Sequence, residues 1–237
     1  MSLHPASVRG GSAGSVFRQV EGRNRAPAVI VLPAIAGVND YMTSVCDRLN
    51  GQGYASLLVD YHGKTGAPDL SDRTKIMAAV SSLPDNDVLA DIAANIAFLQ
   101  ARPDVDAKQI AVLGFCIGGS YAILAASQFS QFCCAISFYG TIKYAETNGR
   151  KPLSPHDAAQ NMACPFLGHY GEDDALIPPH DVEALKKQLT RKPAEIYTYP
   201  GAGHAFHEDF RADAYRPVAA KEAWARSVEY LNWYCAE

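Results

Sequence analysis

The sequence predicts an α/β domain with a mostly parallel sheet and helices on both faces, and three observations predict it. Short apolar runs recur at residues 28–32, 54–59, 109–115, 133–139, 165–170 and 194–199. Several of them, AVIVL at 28–32 for one, are continuous rather than alternating, as in strands buried on both faces of a parallel sheet. Helix-like segments lie between most of them, so the chain reads as successive βαβ units.

Taken in order, the run at 28–32 is followed by a helix over 39–49 that stops near Gly51 and Gly53. A second buried strand covers 54–59, and a helix 71–82. The helix over 85–100 has the clearest pattern. Pro84 and an acidic first turn open it, and Val88, Ile92, Ala93, Ile96 and Leu99 repeat at close to 3.6 residues. A third strand at 109–115 leads into a helix of small residues over 117–127. The strand at 133–139 places Phe138 and Tyr139, with Phe132 just before it, against the sheet. Residues 165–170 form a strand, 182–189 a helix and 194–199 the last strand. An amphipathic helix over 217–235 closes the chain, with Tyr230, Trp233 and Tyr234 facing the core and Trp224 partly exposed. The longest irregular stretch, 140–162, contains Gly140, Gly149, Pro152 and Pro155 and reads either as a lid or as surface padding. No linker divides the chain, so one domain is expected over 1–237, with 1–14 a flexible or loosely packed segment.

Composition narrows the function. Of 237 residues, 48% are hydrophobic and 19% charged, which excludes a disordered chain. The net charge of −4 offers no basic excess for nucleic acid or an anionic membrane surface. The apolar stretch 28–38 is broken by Pro33 and Gly37 and is well short of the ~20 residues a membrane span needs. Six cysteines (46, 116, 133, 134, 164 and 235) include no Cys-x-x-Cys. Cys133 and Cys134, adjacent in a strand, are expected on opposite faces. Reduced thiols and a cytoplasmic location follow, since the Gly/Ser-rich start lacks an apolar leader core.

The chemistry is concentrated in Gly114-Phe115-Cys116-Ile117-Gly118-Gly119. An apolar strand precedes this segment and a small-residue helix follows it, the pattern of a nucleophile elbow with Cys in place of Ser. Gly114 and Gly118 leave room for backbone to approach backbone in a strained turn. The following helix points its N-terminus at Cys116, where the positive dipole end favours an anion, and the N–H of Ile117 can donate to a developing oxyanion. Two further segments follow in the order acid, then His. Asp174, with Asp173 in reserve, lies in a Gly-x-x-Asp loop after a late strand, and His204 lies on a Gly-rich loop after the last strand. Each alone is commonplace; three partners at three strand ends in that order make a Cys–His–Asp arrangement. His204-x-x-His207 sits on a loop rather than a His-Glu-x-x-His helix, so no metal site is expected. His62 and His169 lie near strand ends; either could reach the cleft, and a structural or solvent role is expected of both.

The motifs Val31-Leu-Pro-Ala-Ile-Ala-Gly-Val-Asn39, Gly114-Phe-Cys-Ile-Gly-Gly119, Gly171-Glu-Asp-Asp174 and Gly203-His-Ala-Phe206 resemble those of the dienelactone hydrolase family, which has the α/β-hydrolase fold. The resemblance covers roughly residues 15–235. It implies that Cys116 is the nucleophile, His204 the base, Asp174 the orienting acid and the N–H of Ile35 a second oxyanion donor. Arg73 is implied as a substrate contact, and Phe115 and Phe206, inside two of the motifs, join it as candidates. The implied reaction cleaves a small ester or lactone through a thioester acyl-enzyme, with no metal or organic cofactor, in a monomer or homodimer. Ala34 and Glu208 depart from the family's dienelactone-cleaving members, which have a Glu and an Arg at these positions. That favours a rival reading, a general carboxylesterase or thioesterase acting on neutral substrates. A second rival is a non-catalytic redox or binding protein with Cys116 as its sensitive thiol.

Overall fold

The computed structural model describes residues 7–9, 14–63 and 65–235. Its centre is an eight-stranded sheet in the order β1-β2-β4-β3-β5-β6-β7-β8. The strands are β1 (Ser7–Arg9), β2 (Val16–Arg18), β3 (Ala26–Leu32), β4 (Ala55–Leu58), β5 (Val105–Phe115), β6 (Phe132–Phe138), β7 (Phe166–Gly171) and β8 (Ala194–Tyr199). From β4 to β8 all pairs are parallel, while β1 and β2 add an antiparallel edge. Both edge strands escape the sequence reading, which looks for apolar runs; each has only three residues. Ser7–Arg9 nevertheless pair with β2, inside the stretch expected to be loosely packed. The rest of 1–13 lies outside the described residues.

The helices are α1 (Asp40–Gly51), α2 (Arg73–Ser82), α3 (Asp85–Gln100), α4 (Ile117–Gln128), α5 (Pro155–Ala158), α6 (Pro179–Gln188) and α7 (Pro217–Cys235), with a 3-10 turn at Ala159–Asn161. The Asn39 side chain caps α1 by accepting from the Met42 N–H at 2.9 Å. Helix α6 starts three residues earlier than expected because Pro179 opens it, a position where a missing N–H costs nothing. Helices α3 and α4 cover one face of the sheet. Helix α7 lies on the other, beside α1: Arg48 of α1 stacks on Trp224 of α7 at 4.4 Å, and Tyr54 donates to Asn232 at 2.8 Å. The core fills both interfaces, and β3 and residues 110–115 of β5 are almost wholly buried.

Three expectations fail here. Trp233 is 79% exposed, not core-facing. The buried stripe of α7 runs through Ala220, Ala223, Ser227, Leu231 and Cys235, and Trp233, two residues past Leu231, is turned about 200° away from it. Nor are all thiols reduced, because Cys133 and Cys235 form a disulfide. Cys133 and Cys134 do not point to opposite faces. Ile110 pairs with Phe132 and Val112 with Ala135, so β6 carries one extra residue there. This β-bulge breaks the strand's alternation. The sulfurs of Cys133, Cys134 and Cys235 all lie within 4.8 Å of one another.

The irregular stretch 140–162 is firmly anchored. Lys151 pairs with Asp85 at 2.6 Å and donates to the Tyr121 hydroxyl at 2.9 Å, with all three groups buried. Arg150 donates to the Ser82 carbonyl at 2.8 Å, and its own carbonyl accepts from the Asp85 N–H at 2.9 Å.

Candidate active site

Parallel strands deliver their following loops to one edge of the sheet, where the sites of open α/β folds lie. Cys116 follows β5, Asp174 follows β7, His204 follows β8, and Ile35 follows β3. The structure brings the first three together. Cys116 Sγ lies 3.2 Å from His204 Nε2, and His204 Nδ1 lies 2.8 Å from Asp174 Oδ2.

Each residue is held by its local fold. Cys116 has φ 55° and ψ −122°, an unfavourable backbone for a residue with a Cβ. The surroundings impose it. A Cβ on Gly114 would lie 2.0 Å from the Gly118 carbonyl oxygen, and one on Gly118 would lie 2.1 Å from that of Leu32. The turn from β5 to α4 is therefore packed backbone to backbone against the end of β3, and the Cys116 N–H donates to the Phe138 carbonyl at 3.0 Å. Ile117 is the first residue of α4, so its N–H has no carbonyl a turn earlier in the helix to bond.

The acid and the His are positioned as a pair. The N–H of Asp173 donates to the Ala202 carbonyl at 2.9 Å, which ties the loop after β7 to the loop after β8. Asp174 Oδ1 accepts from the Leu176 N–H at 2.8 Å, leaving Oδ2 for His204. Its side chain is fully buried, whereas Asp173 is exposed, so Asp174 and not the reserve is the partner. Because a carboxylate only accepts, Nδ1 of His204 carries a hydrogen and Nε2 faces the sulfur. Burial works against charge on this imidazole. The negative charge of Cys116 and the bond to Asp174 outweigh burial and hold its pKa up at about 10.

Around this line stand further groups, of which Tyr41, Tyr61 and Arg211 carry no signal in the sequence. Burial pushes the hydroxyls of Tyr61 and Tyr139 up, reinforced at Tyr61 by Cys116 and at Tyr139 by Tyr41 and Glu208, so both stay protonated. The Tyr139 ring meets His204 edge to face at 5.2 Å. Glu208 is buried, which raises its carboxyl, and Arg211 at 3.7 Å and His204 counter that rise. His207 hydrogen-bonds through Nδ1 to the Tyr41 hydroxyl, and burial holds it neutral, with a pKa of about 3. His169 is a satisfied core residue. Ser227 spends its hydrogen on the Ala223 carbonyl at 2.8 Å, so His169 Nε2 donates to Ser227 at 3.1 Å and Nδ1 accepts from Tyr199 at 2.9 Å.

The candidate substrate contacts are scattered. Phe115 and Phe206 are wholly buried: Phe115 stacks on Phe138 at 4.7 Å, and Phe206 packs against Tyr139 at 5.4 Å. They line the core beneath the site. Arg73 is exposed at the first position of α2, a helix with no buried residue.

Comparison with known proteins gives a consistent result. The profile described as "Dienelactone hydrolase family" matches residues 14–235. A Bradyrhizobium protein named "Probable 2-oxo-3-(5-oxofuran-2-ylidene)propanoate lactonase" is 42% identical over 212 residues, covering 89% of this chain and 85% of its own length. A "Putative carboxymethylenebutenolidase" of Salmonella typhimurium is 35% identical, covering 88% of this chain and 77% of its own. The crystal structure of a "Putative Dienelactone Hydrolase" from Klebsiella pneumoniae superimposes with a TM-score of 0.86 at 32% identity, covering 93% of this chain and 92% of that one.

Proposed function

Since this chain belongs to the dienelactone hydrolase family and is a hydrolase of carboxylic ester bonds with the α/β-hydrolase fold, we propose that it opens a small ester or lactone through a Cys116–His204–Asp174 triad and a thioester acyl-enzyme. The observation that supports this reading most directly is the unbroken line from sulfur to imidazole to carboxylate, at 3.2 and 2.8 Å.

The steps follow from these contacts. With the thiol proton already held on His204 Nε2, the Cys116 thiolate attacks the acyl carbon. Asp174 holds Nδ1–H in place and stabilises the imidazolium. The N–H groups of Ile117 and Ile35 receive the oxyanion, each such donor being worth roughly 3–4 kcal/mol. As the tetrahedral species collapses, the C–O bond breaks and Nε2–H protonates the departing alkoxide. Nε2 then takes a proton from water. The hydroxide adds to the thioester, the C–S bond breaks, and the acid product leaves with the thiol restored. Every proton is handled by one imidazole.

Glu208 and Ala34 favour a neutral substrate. A buried carboxyl beside His204 adds no attraction for an anion, and Ala34 adds no charge of its own. A cytoplasmic location belongs to the same proposal. Among the described residues no helix is long and apolar enough to cross a membrane. The Cys133–Cys235 bond counts against that location, since disulfides are rare in the cytosol, and mapping thiols alkylated inside intact cells decides the point.

The central test is Cys116→Ala assayed on a neutral aryl ester and an anionic lactone, with intact mass spectrometry of the wild type during turnover. The expected result is loss of hydrolysis with an unchanged circular dichroism spectrum, and an acyl adduct on the wild type only. Hydrolysis by the Cys116→Ala protein would reject the nucleophile. An adduct-free wild type that does not turn over either substrate would favour the redox-sensor alternative.

A further inference from the structure

The loop carrying Ile35 is clamped by a side chain outside the triad. His62 lies four residues beyond β4, the strand paired with β3, so the sheet topology sets it beside loop 33–38. Its Nε2 is 2.8 Å from the Ile35 carbonyl oxygen. A carbonyl only accepts, so Nε2 carries a hydrogen and donates it. His62 is itself fixed, because its main-chain N–H donates to Asp60 Oδ1 at 2.9 Å. The loop closes on itself through the Gly37 N–H, which donates to the Ala34 carbonyl at 2.8 Å. The imidazole rests on Gly37: a Cβ there would lie 2.9 Å from His62 Cδ2, and Gly37 has φ +72°, the left-handed region where glycine is favoured. Residues 34–37 are thus braced by their own turn on one side and by an imidazole on the other.

We propose that His62 is a positioning residue for ester hydrolysis. By holding the Ile35 carbonyl it fixes the loop so that the Ile35 N–H stays aimed at the oxygen of the acyl group on Cys116. The inference rests on the reading of Ile35 as an oxyanion donor. It assigns His62 no proton transfer and no contact with substrate. Oxyanion donors help only when preorganised, because a loop that must reorganise during the reaction gives back what the hydrogen bond gains.

The test compares His62→Phe, which keeps a ring on Gly37 without a donor, with His62→Gln, whose amide can still donate to the carbonyl. Values of kcat and KM on a neutral aryl ester are measured alongside the rate at which iodoacetamide alkylates Cys116. Losing one oxyanion donor costs about 10²–10³ in kcat, so a misaimed one is expected to cost His62→Phe roughly 10–100-fold. KM should change less than about 3-fold, since the oxyanion forms only in the transition state. Alkylation should be unchanged because the Cys–His–Asp line is untouched, and His62→Gln should recover most of the lost kcat. The proposal is overturned if His62→Phe keeps full kcat, if the loss is in KM, if alkylation slows in parallel, or if His62→Gln is no better than His62→Phe. Failure of the triad reading would show separately, as hydrolysis by Cys116→Ala.

Discussion

At the scale of single residues, the proposed triad makes the imidazole of His204 the group that sets the pH behaviour. Burial alone would make it a weak base, but its two anionic neighbours hold its pKa near 10. The sign follows directly. The imidazolium that protonates the leaving group persists below that value and is lost as pH rises through it, so kcat/KM should fall on the alkaline side near pH 10. Asp174→Asn removes the second anion and leaves the imidazole free to adopt the other tautomer. The alkaline limb should move to lower pH and kcat should drop by about 10²–10⁴, the upper figure being that of serine triads with the same change. A pH–rate profile of both proteins checks this, and a limb that stays in place would remove Asp174 from the pair. These residues were legible in the sequence because each carries a local signature: glycines at 114 and 118 around the thiol, and loop residues around the acid and the His. His62 was not legible as a partner of Ile35. Twenty-seven residues separate them, and only the pairing of β3 with β4 makes them neighbours.

Elements were legible where burial imposes a pattern. The central strands and α3 are recognisable because wholly buried strands read as apolar runs and half-buried helices repeat near 3.6. The stretch 140–162 has no such pattern, since its order comes from a buried ion pair and a few long-range hydrogen bonds rather than from periodicity. Lys151 and Asp85 are 6% and 2% exposed, and the ammonium also reaches Tyr121 on α4. Burial lowers the pKa of Lys151, and Asp85 opposes that shift. Removing one partner strands the other charge, so Lys151→Met should cost about 3–5 kcal/mol in urea unfolding. The double change Lys151→Met with Asp85→Leu should recover much of it, because two apolar groups leave no orphan charge. If the single variant unfolds like wild type, the pair does not hold the stretch. Loss of activity out of proportion to stability would instead return this stretch to the role of a lid.

Across the whole molecule, the first and last described elements join the sheet in different ways. The N-terminal strands β1 and β2 extend the sheet beyond β4, while α7 folds back over β5, β6 and β7 and ends in a covalent bond to β6. That bond was hidden from sequence reasoning because regular alternation keeps adjacent strand residues apart, and only the bulge at 133–134 brings both sulfurs toward Cys235. It closes a loop with a sequence separation of 102. In the chain-entropy picture a loop of about that length restrains the unfolded state by up to about 4.7 kcal/mol, with 2–4 the usual yield. The bulge also supplies a substitute, since Cys134 Sγ lies 3.6 Å from Cys235 Sγ. Cys133→Ser and Cys235→Ser should therefore differ. With Cys133 gone, Cys134 can form the bond with Cys235 under mild oxidation, and most of the stability should remain. With Cys235 gone, neither neighbour can reach α7 covalently, and urea unfolding should show the loss of about 2–4 kcal/mol. Non-reducing peptide mapping of the first variant should find Cys134 joined to Cys235. If both variants lose the same stability and no such peptide appears, the third sulfur is a bystander and the tether depends on Cys133 alone.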